Sequence, residues 1–296
     1  MSLVATLVSS PADPQVTEGL IAGVSRALGG GGNRVLDAGI AADIAVDGSL
    51  SRDEAGRRMA EVIGDAPVDF AVLPAEGRAK KLLVADMDST MIGQECIDEL
   101  AAFVGLKEHV AAITERAMRG EIAFEPALRE RVGLLKGLSA DVVEEVLAER
   151  ITLTPGGREL IATMRAHGAY TALVSGGFTL FTGHIRELIG FDEHRSNCLI
   201  TEDGRLTGRV AEPILGKAAK LATLRELRQA RGLAHHETLA IGDGANDLDM
   251  INDSGLGIAY HAKPKVAAAA EVSIRYGDLT AVLYLQGYAR DEFAAI

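Results

Sequence analysis

The segment Lys81-Leu82-Leu83-Val84-Ala85-Asp86-Met87-Asp88-Ser89-Thr90 runs from an apolar strand straight into two carboxylates. Leu239-Ala240-Ile241-Gly242-Asp243-Gly244-Ala245-Asn246-Asp247 repeats the pattern. An uncompensated carboxylate beside apolar packing costs several kcal/mol. Two strands that end in aspartates therefore hold charge where folding alone would not put it. A cation is the simplest compensation, and a hard divalent ion such as Mg²⁺ takes oxygen ligands: an Asp from each strand, a main-chain carbonyl and waters. Such a site suits phosphoryl transfer, whose main obstacle is like-charge repulsion. A carboxylate about 4 Å from one negative charge is repelled by on the order of 4 kcal/mol at an effective dielectric near 20, and a phosphate dianion roughly doubles this. A metal ion and a lysine are needed before an aspartate can attack phosphorus. In that chemistry Asp86 is the expected nucleophile, forming an aspartyl-phosphate. Asp88 is the expected acid and base, and Asp243 completes the metal site.

The elements that must position these groups follow from residue 81 onward, where apolar strands alternate with long helical stretches, the pattern of a parallel sheet covered on both faces. Strands are expected at 81–86, 170–174, 238–242 and 255–259, with a β-hairpin turning at Asp203-Gly204. In an open α/β sheet the ligand site lies beyond the carboxyl ends of the strands, so the acids converge without special assumption. The segment of about 91–150, rich in Glu, Arg, Leu and Ala, is far longer than a crossover connection and reads as an inserted helical cap.

Before residue 77 the grammar differs. Residues 2–8 read as a strand, 15–28 as a helix, 34–47 as two short strands with a bend at Gly39, 51–63 as a helix and 68–73 as a strand. This βαββαβ order is that of a ferredoxin-like α+β unit. Gly29-Gly30-Gly31-Gly32 lacks the Lys-Ser/Thr of a phosphate loop and reads as a connection. The polar stretch 74–78 marks the boundary, giving units of 1–76 and 77–296, the latter split into a core of 77–90 and 151–296 around the cap.

Composition excludes several alternatives. A net charge of −12 opposes nucleic-acid binding, which needs a basic surface. No stretch approaches the roughly 20 apolar residues of a membrane span and the first residues do not read as a signal peptide, so a cytoplasmic location is expected. Cys96 and Cys198 form no disulfide framework or zinc site and are expected to be small buried residues. The seven histidines have no metal-ligand spacing, and His235-His236 reads as a surface loop.

Taken together, Asp86-Met-Asp88-Ser-Thr90, then Val174-Ser175-Gly176-Gly177-Phe178, then a lysine, then Gly242-Asp243-Gly244-Ala245-Asn246-Asp247 resemble the four ordered motifs of the haloacid dehalogenase-like phosphatases. Within that family they are most similar to the phosphoserine phosphatases. The resemblance covers about residues 80–288, and it departs at Met87, where an aromatic residue is common. It implies a Rossmann-like parallel core with a helical cap. The N-terminal unit is similar, by pattern, to ACT-like amino-acid-sensing domains.

The resemblance also implies roles. Asp86 matches the nucleophile and Asp88 the acid/base. Mg²⁺ would be held by Asp86, Asp243 and the main-chain carbonyl of Asp88, with Asp247 supporting its water shell. Ser175, Gly176 and Gly177 match the phosphate-binding segment, where absent side chains let backbone N–H groups approach phosphate oxygens, and Asn246 lies with them. Lys220 is favoured as the phosphate-binding lysine over Lys217. Glu95 matches the residue that pairs with a substrate ammonium, and Arg131 the one that meets a carboxylate. Met118 and Phe124 match positions that close over the substrate, while Arg129 is expected in solvent. The implied reaction is Mg²⁺-dependent hydrolysis of O-phospho-L-serine to L-serine and phosphate, ending serine biosynthesis. Two alternatives stay open: the same chemistry on another small phosphate ester or as a phosphotransfer, and a serine-sensing protein with a vestigial phosphatase half. Pairing of two copies stays open as well.

Overall fold

The computed structural model describes residues 2–118 and 121–296, apart from the side chain of Met118. The chain begins with β1 (Leu3–Ser9), α1 (Glu18–Ala27), β2 (Asn33–Asp37), β3 (Ala41–Ala45), α2 (Arg52–Ile63) and β4 (Val68–Pro74). The four strands form one antiparallel sheet in the order β2-β3-β1-β4, the ferredoxin-like arrangement. Helix α1 starts at Glu18, later than its periodicity suggests, because Thr17 is the N-cap and its Oγ1 accepts the Leu20 N–H at 3.2 Å. Ser51 caps α2 in the same way. In the glycine run, Gly29 and Gly30 take φ of 105° and 74° to end the helix, and a side chain at Gly31 would come within 2.9 Å of Ala45. Gly29 and Gly31 thus lie close against neighbouring residues, while Gly30 and Gly32 have open space around them.

The rest of the chain runs β5 (Leu82–Ala85), then α3 (Cys96–Phe103), α4 (Lys107–Met118), α5 (Phe124–Gly133) and α6 (Asp141–Glu149), which make the cap. It returns through α7 (Gly157–Ala166), β6 (Tyr170–Phe178), α8 (Thr179–Ile189), β7 (Glu193–Asn197), β8 (Leu199–Glu202), β9 (Arg205–Val210) and α9 (Lys217–Ala230). It finishes with β10 (Thr238–Gly242), α10 (Leu248–Asn252), β11 (Leu256–Tyr260), α11 (Pro264–Ala267), β12 (Val272–Ile274) and α12 (Ala281–Leu285).

Six of these strands form a parallel sheet in the order β12-β11-β10-β5-β6-β7. The period of two along β5 sorts its residues between the two faces. Leu82 and Val84 pack with Leu224 and Leu227 of α9 and Met250 of α10, whereas Leu83 and Ala85 join the larger core with Leu160, Phe181 and Leu283. Both faces are covered, which explains why these strands read as unbroken apolar runs.

Three features differ from the expectation. Strand β6 continues through Ser175-Gly176-Gly177 to Phe178, with an irregularity against β7 between Val174 and Phe178. Strand β7, Glu-His-Arg-Ser-Asn, has no apolar alternation because it lies at the sheet edge and is mostly half-buried. Strand β12 has only 3 residues, too few to show a period. The β8–β9 hairpin turns as expected, with φ of 49° at Asp203 and 71° at Gly204.

The antiparallel sheet uses both faces. Ala5, Leu7, Ala42 and Ile44 pack under α1 and α2, while Val8, Leu36, Ala41, Ala71 and Leu73 join the core that contains Tyr284 and Leu285 of α12. At this junction Arg78 pairs with Asp43 and donates to the Tyr284 and Leu285 carbonyls at 2.9 and 3.1 Å. Asp69 accepts the N–H groups of Arg275, Tyr276 and Gly277 at 2.8, 2.9 and 2.8 Å. No helix among the described residues is long and apolar enough to cross a membrane.

Candidate active site

Strand β5 lies between β10 and β6, so their carboxyl ends meet at one point. Asp86 follows β5 directly, and its N–H still donates to Ile241 at 3.0 Å as if the ladder continued. Its side chain is buried: Oδ1 accepts the Met87 N–H at 2.8 Å, and Oδ2 lies 2.6 Å from Lys220 Nζ. Met87 itself is fully buried in the core.

Asp243 and Asp247 arrive from the β10 end. Thr90 Oγ1 donates to Asp243 Oδ1 at 3.1 Å. Asp247 is fully buried, and its Oδ2 accepts the Gly244 N–H at 3.0 Å while Oδ1 lies 2.6 Å from Lys220 Nζ. Gly242 makes this possible, because a Cβ there would sit 2.4 Å from the Asp247 carboxyl carbon. Asn246 is exposed on the rim, its Oδ1 folded over Gly244.

Oxygens of Asp86, Asp243 and Asp247 lie within 4.8 Å of one another. Opposite ligands of an ion that holds oxygens at about 2.1 Å are at most roughly 4.2 Å apart, so the cluster matches a small divalent cation with a slight contraction. The electrostatics agree. Burial and the neighbouring Asp247 charge push the Asp86 carboxyl well above its ordinary value, against the pull of Lys220. Burial, with Asp247 next, pushes Asp243 up to about 6. Burial disfavours the Lys220 ammonium, but the carboxylates of Asp86 and Asp247 outweigh it and hold its pKa above the ordinary value. One ammonium faces an excess of carboxylate, and a cation would balance the remainder.

Lys220 is buried between its two aspartates, whereas Lys217 is two-thirds exposed and lies 3.6 Å from Asp249 on the surface. The Asp88 carboxylate turns away from the acidic cluster. Its Oδ1 accepts the Cys96 N–H at 2.9 Å and its Oδ2 accepts the Ser175 hydroxyl at 3.0 Å. Ser175 Oγ also accepts the Gly177 N–H at 2.8 Å, and a Cβ at Gly177 would come within 3.1 Å of Asp88 Oδ2. The bare backbone of this segment is what leaves room beside Asp88.

The cap supplies the other wall. Gly93 N–H donates to the Thr152 carbonyl at 3.0 Å, and the Gln94 side chain bonds Thr152 at 2.8 and 2.9 Å, tying together the two chains that lead into and out of the cap. Glu95 directly precedes α3, its Oε1 accepting the Ser89 hydroxyl at 2.7 Å. Loss of water around its carboxyl, with Asp88 nearby, pushes it up to about 7. Phe124 is 41 % exposed, and its ring carbons lie 3.5 Å from a Cβ built at Gly176 and 3.4 Å from one built at Gly216, so it stands over the glycine segment. Arg131 lies seven residues further on α5, on the same helical face and about 10 Å along. Its guanidinium has two long contacts of 3.4 Å, to Ala127 and Thr114, and no carboxylate within ion-pair distance among the described residues. Burial lowers its pKa, opposed by the charges of Asp98 and Glu95.

Met118 falls outside the described side chains. Arg129 is about half exposed and pairs with Glu212. Cys96 is buried as expected, but Cys198 is exposed, because it sits between the edge strand β7 and the hairpin. Sequence reasoning passes over the roles of Ser89 and Thr90, which brace Glu95 and Asp243; the available signal is their place directly after Asp88. Ser89 has φ of 55°, a conformation unusual outside glycine and often found where a side chain is aimed for function.

Residues 83–252 match the family model of the haloacid dehalogenase-like hydrolases. The chain is 48 % identical over 77 % of its length to a phosphoserine phosphatase of Streptomyces coelicolor, spanning 56 % of that protein. It is 46 % identical over 75 % of its length to a phosphoserine phosphatase of Haemophilus influenzae, spanning 71 % of that protein. A probable phosphoserine phosphatase from Vibrio cholerae, solved without ligand, superposes with a TM-score of 0.79 at 34 % identity over 98 % of this chain and 88 % of that one. The chain belongs to the haloacid dehalogenase-like hydrolases and, within them, to the phosphoserine phosphatases.

Proposed function

We propose that the protein hydrolyses O-phospho-L-serine to L-serine and phosphate, completing serine biosynthesis, with Mg²⁺ at the acidic cluster. The observation that carries the substrate is the placement of two opposite charges on the cap: Glu95 beside Asp88, and Arg131, which has no carboxylate within ion-pair distance among the described residues yet lies near enough to feel the Glu95 charge. An anion and a cation on one side of a phosphate site fit the ammonium and carboxylate of a phosphorylated amino acid. Phe124 covers the phosphate end.

In this reading Asp86 and Asp243, with the Asp88 carbonyl, would hold the ion, and Asp247 would support it; when bound, the ion shields the phosphate charge from the carboxylates. The chain's own groups do the rest. Asp86 forms a bond to phosphorus as the ester bond to the serine oxygen breaks, and Asp88 gives its proton to that oxygen. Water then attacks the aspartyl-phosphate, Asp88 takes the water's proton, and Asp86 is released as a carboxylate. Lys220 and the Ser175–Gly177 segment hold the phosphoryl oxygens. The bonds from the Cys96 N–H and the Ser175 hydroxyl to the two Asp88 oxygens would fix its orientation for this role.

The test is Arg131→Ala assayed on a panel of esters. Loss of a bidentate charge-assisted contact should lower kcat/KM for phosphoserine by about 10²-fold, while phosphoethanolamine, which lacks the carboxylate, changes by less than about threefold. Equal losses on both substrates would remove the assignment of Arg131 and of the substrate class. The N-terminal unit of 1–76 is proposed to be a separate amino-acid-sensing module; serine binding to the full chain, lost on substitution within that unit but not at Arg131, would support this.

A further inference from the structure

Asn197, at the end of edge strand β7, is 2 % exposed and uses its side-chain amide three times. Nδ2 donates to the Gly176 carbonyl at 2.9 Å and to the Leu215 carbonyl at 3.1 Å, and Oδ1 accepts the Leu215 N–H at 2.7 Å. Gly176 lies in the glycine segment at the end of β6, and Leu215 precedes α9, which carries Lys220 in its first turn. One buried side chain thus joins the two pieces of backbone that bear the groups facing the phosphate.

The joint has a specific geometric consequence. In a trans peptide the carbonyl of one residue and the N–H of the next point in opposite directions. Asn197 holds the Gly176 carbonyl from one side, while Ser175 Oγ holds the Gly177 N–H at 2.8 Å from the other. A peptide between two glycines has no Cβ to restrict it and would rotate readily. Here it is pinned at both ends. The two bonds to Leu215 fix where α9 begins relative to that plane, and therefore the span between the glycine segment and Lys220.

We propose that Asn197 is a positioning residue that clamps the phosphate-binding segment to the lysine helix. The proposal rests on the reading that Ser175–Gly177 and Lys220 grip phosphate. Asn197→Ala and Asn197→Ser, assayed with Mg²⁺, should weaken competitive inhibition by inorganic phosphate about tenfold, the scale of one net hydrogen bond. They should lower kcat about 10²-fold, the scale of a small misplacement at a reacting centre. Inhibition by L-serine, read by the cap, should stay within twofold. In the wild-type protein, inorganic phosphate should slow hydrogen exchange over 211–220 together with 175–178, a measurement that does not depend on how the variants fold. Unchanged phosphate inhibition in both variants, or protection confined to 175–178, would overturn the clamp alone. A wild type that phosphate neither inhibits nor protects would overturn the reading of the site and the clamp with it.

Discussion

Asp86→Asn will give a folded protein whose kcat for phosphoserine is lower by roughly 10⁴-fold or more, the scale on which enzymes lose activity with their covalent nucleophile. Asparagine keeps the size of the side chain, and its one oxygen can face the Lys220 ammonium, 2.6 Å from Asp86 Oδ2, at the cost of the single bond that the Met87 N–H now makes to Asp86 Oδ1 at 2.8 Å. What it removes is the charge. Lys220 lies 2.6 Å from both Asp86 and Asp247, so the substitution turns one ammonium between two buried carboxylates into a matched pair. Burial first, and the Asp247 charge next, push the Asp86 carboxyl well above its ordinary value, so folding disfavours its ionised form. The variant should therefore melt no lower than wild type in metal-free buffer, and Mg²⁺ should raise its melting temperature less. Phosphate release and thermal melts with and without Mg²⁺ measure both effects. Activity within tenfold of wild type would exclude Asp86 as the nucleophile, and a large loss of metal-free stability would contradict the charge balance.

A charge imbalance of this kind is legible in sequence. A strand such as Leu82-Leu83-Val84-Ala85 announces burial by composition alone, and aspartates at its end break the rule that buried charge is avoided. The ferredoxin-like order of the first 74 residues is readable from apolar periodicity, but the exact start of α1 is not, because the Thr17 cap lies inside the periodic stretch. Strand β7 was not, because half-buried edge residues carry no apolar period and Glu193, His194 and Arg195 look like surface loop. Asn197 was invisible for a deeper reason. Its partners are the main-chain atoms of Gly176 and Leu215, and contacts to backbone leave no complementary residue type to search for. Ser89 and Thr90 stand in plain view within the motif, but which carboxylate each one braces depends on a turn with positive φ at Ser89.

Lys220→Met should lose less activity than Asp86→Asn and yet shift stability the other way. Removing one preorganised donor from a developing or transferred negative charge costs about 10²–10³-fold in rate, and methionine fills the stem's volume without the ammonium. In metal-free protein the substitution leaves Asp86 and Asp247 buried and facing each other, with Asp243 close by. Removing one partner of a buried ion pair destabilises by about 3–5 kcal/mol, so the urea midpoint should fall, in contrast to Asp86→Asn. Mg²⁺ should restore more stability to Lys220→Met than to wild type, because the cation then supplies the only compensation for the cluster. The double variant Asp86→Asn/Lys220→Met should recover part of the lost stability without recovering activity, since one of the two opposed carboxylates is gone. Equal denaturation midpoints for Lys220→Met and wild type without metal would mean that the lysine does not hold the cluster together, and that its place between the two aspartates serves the substrate alone.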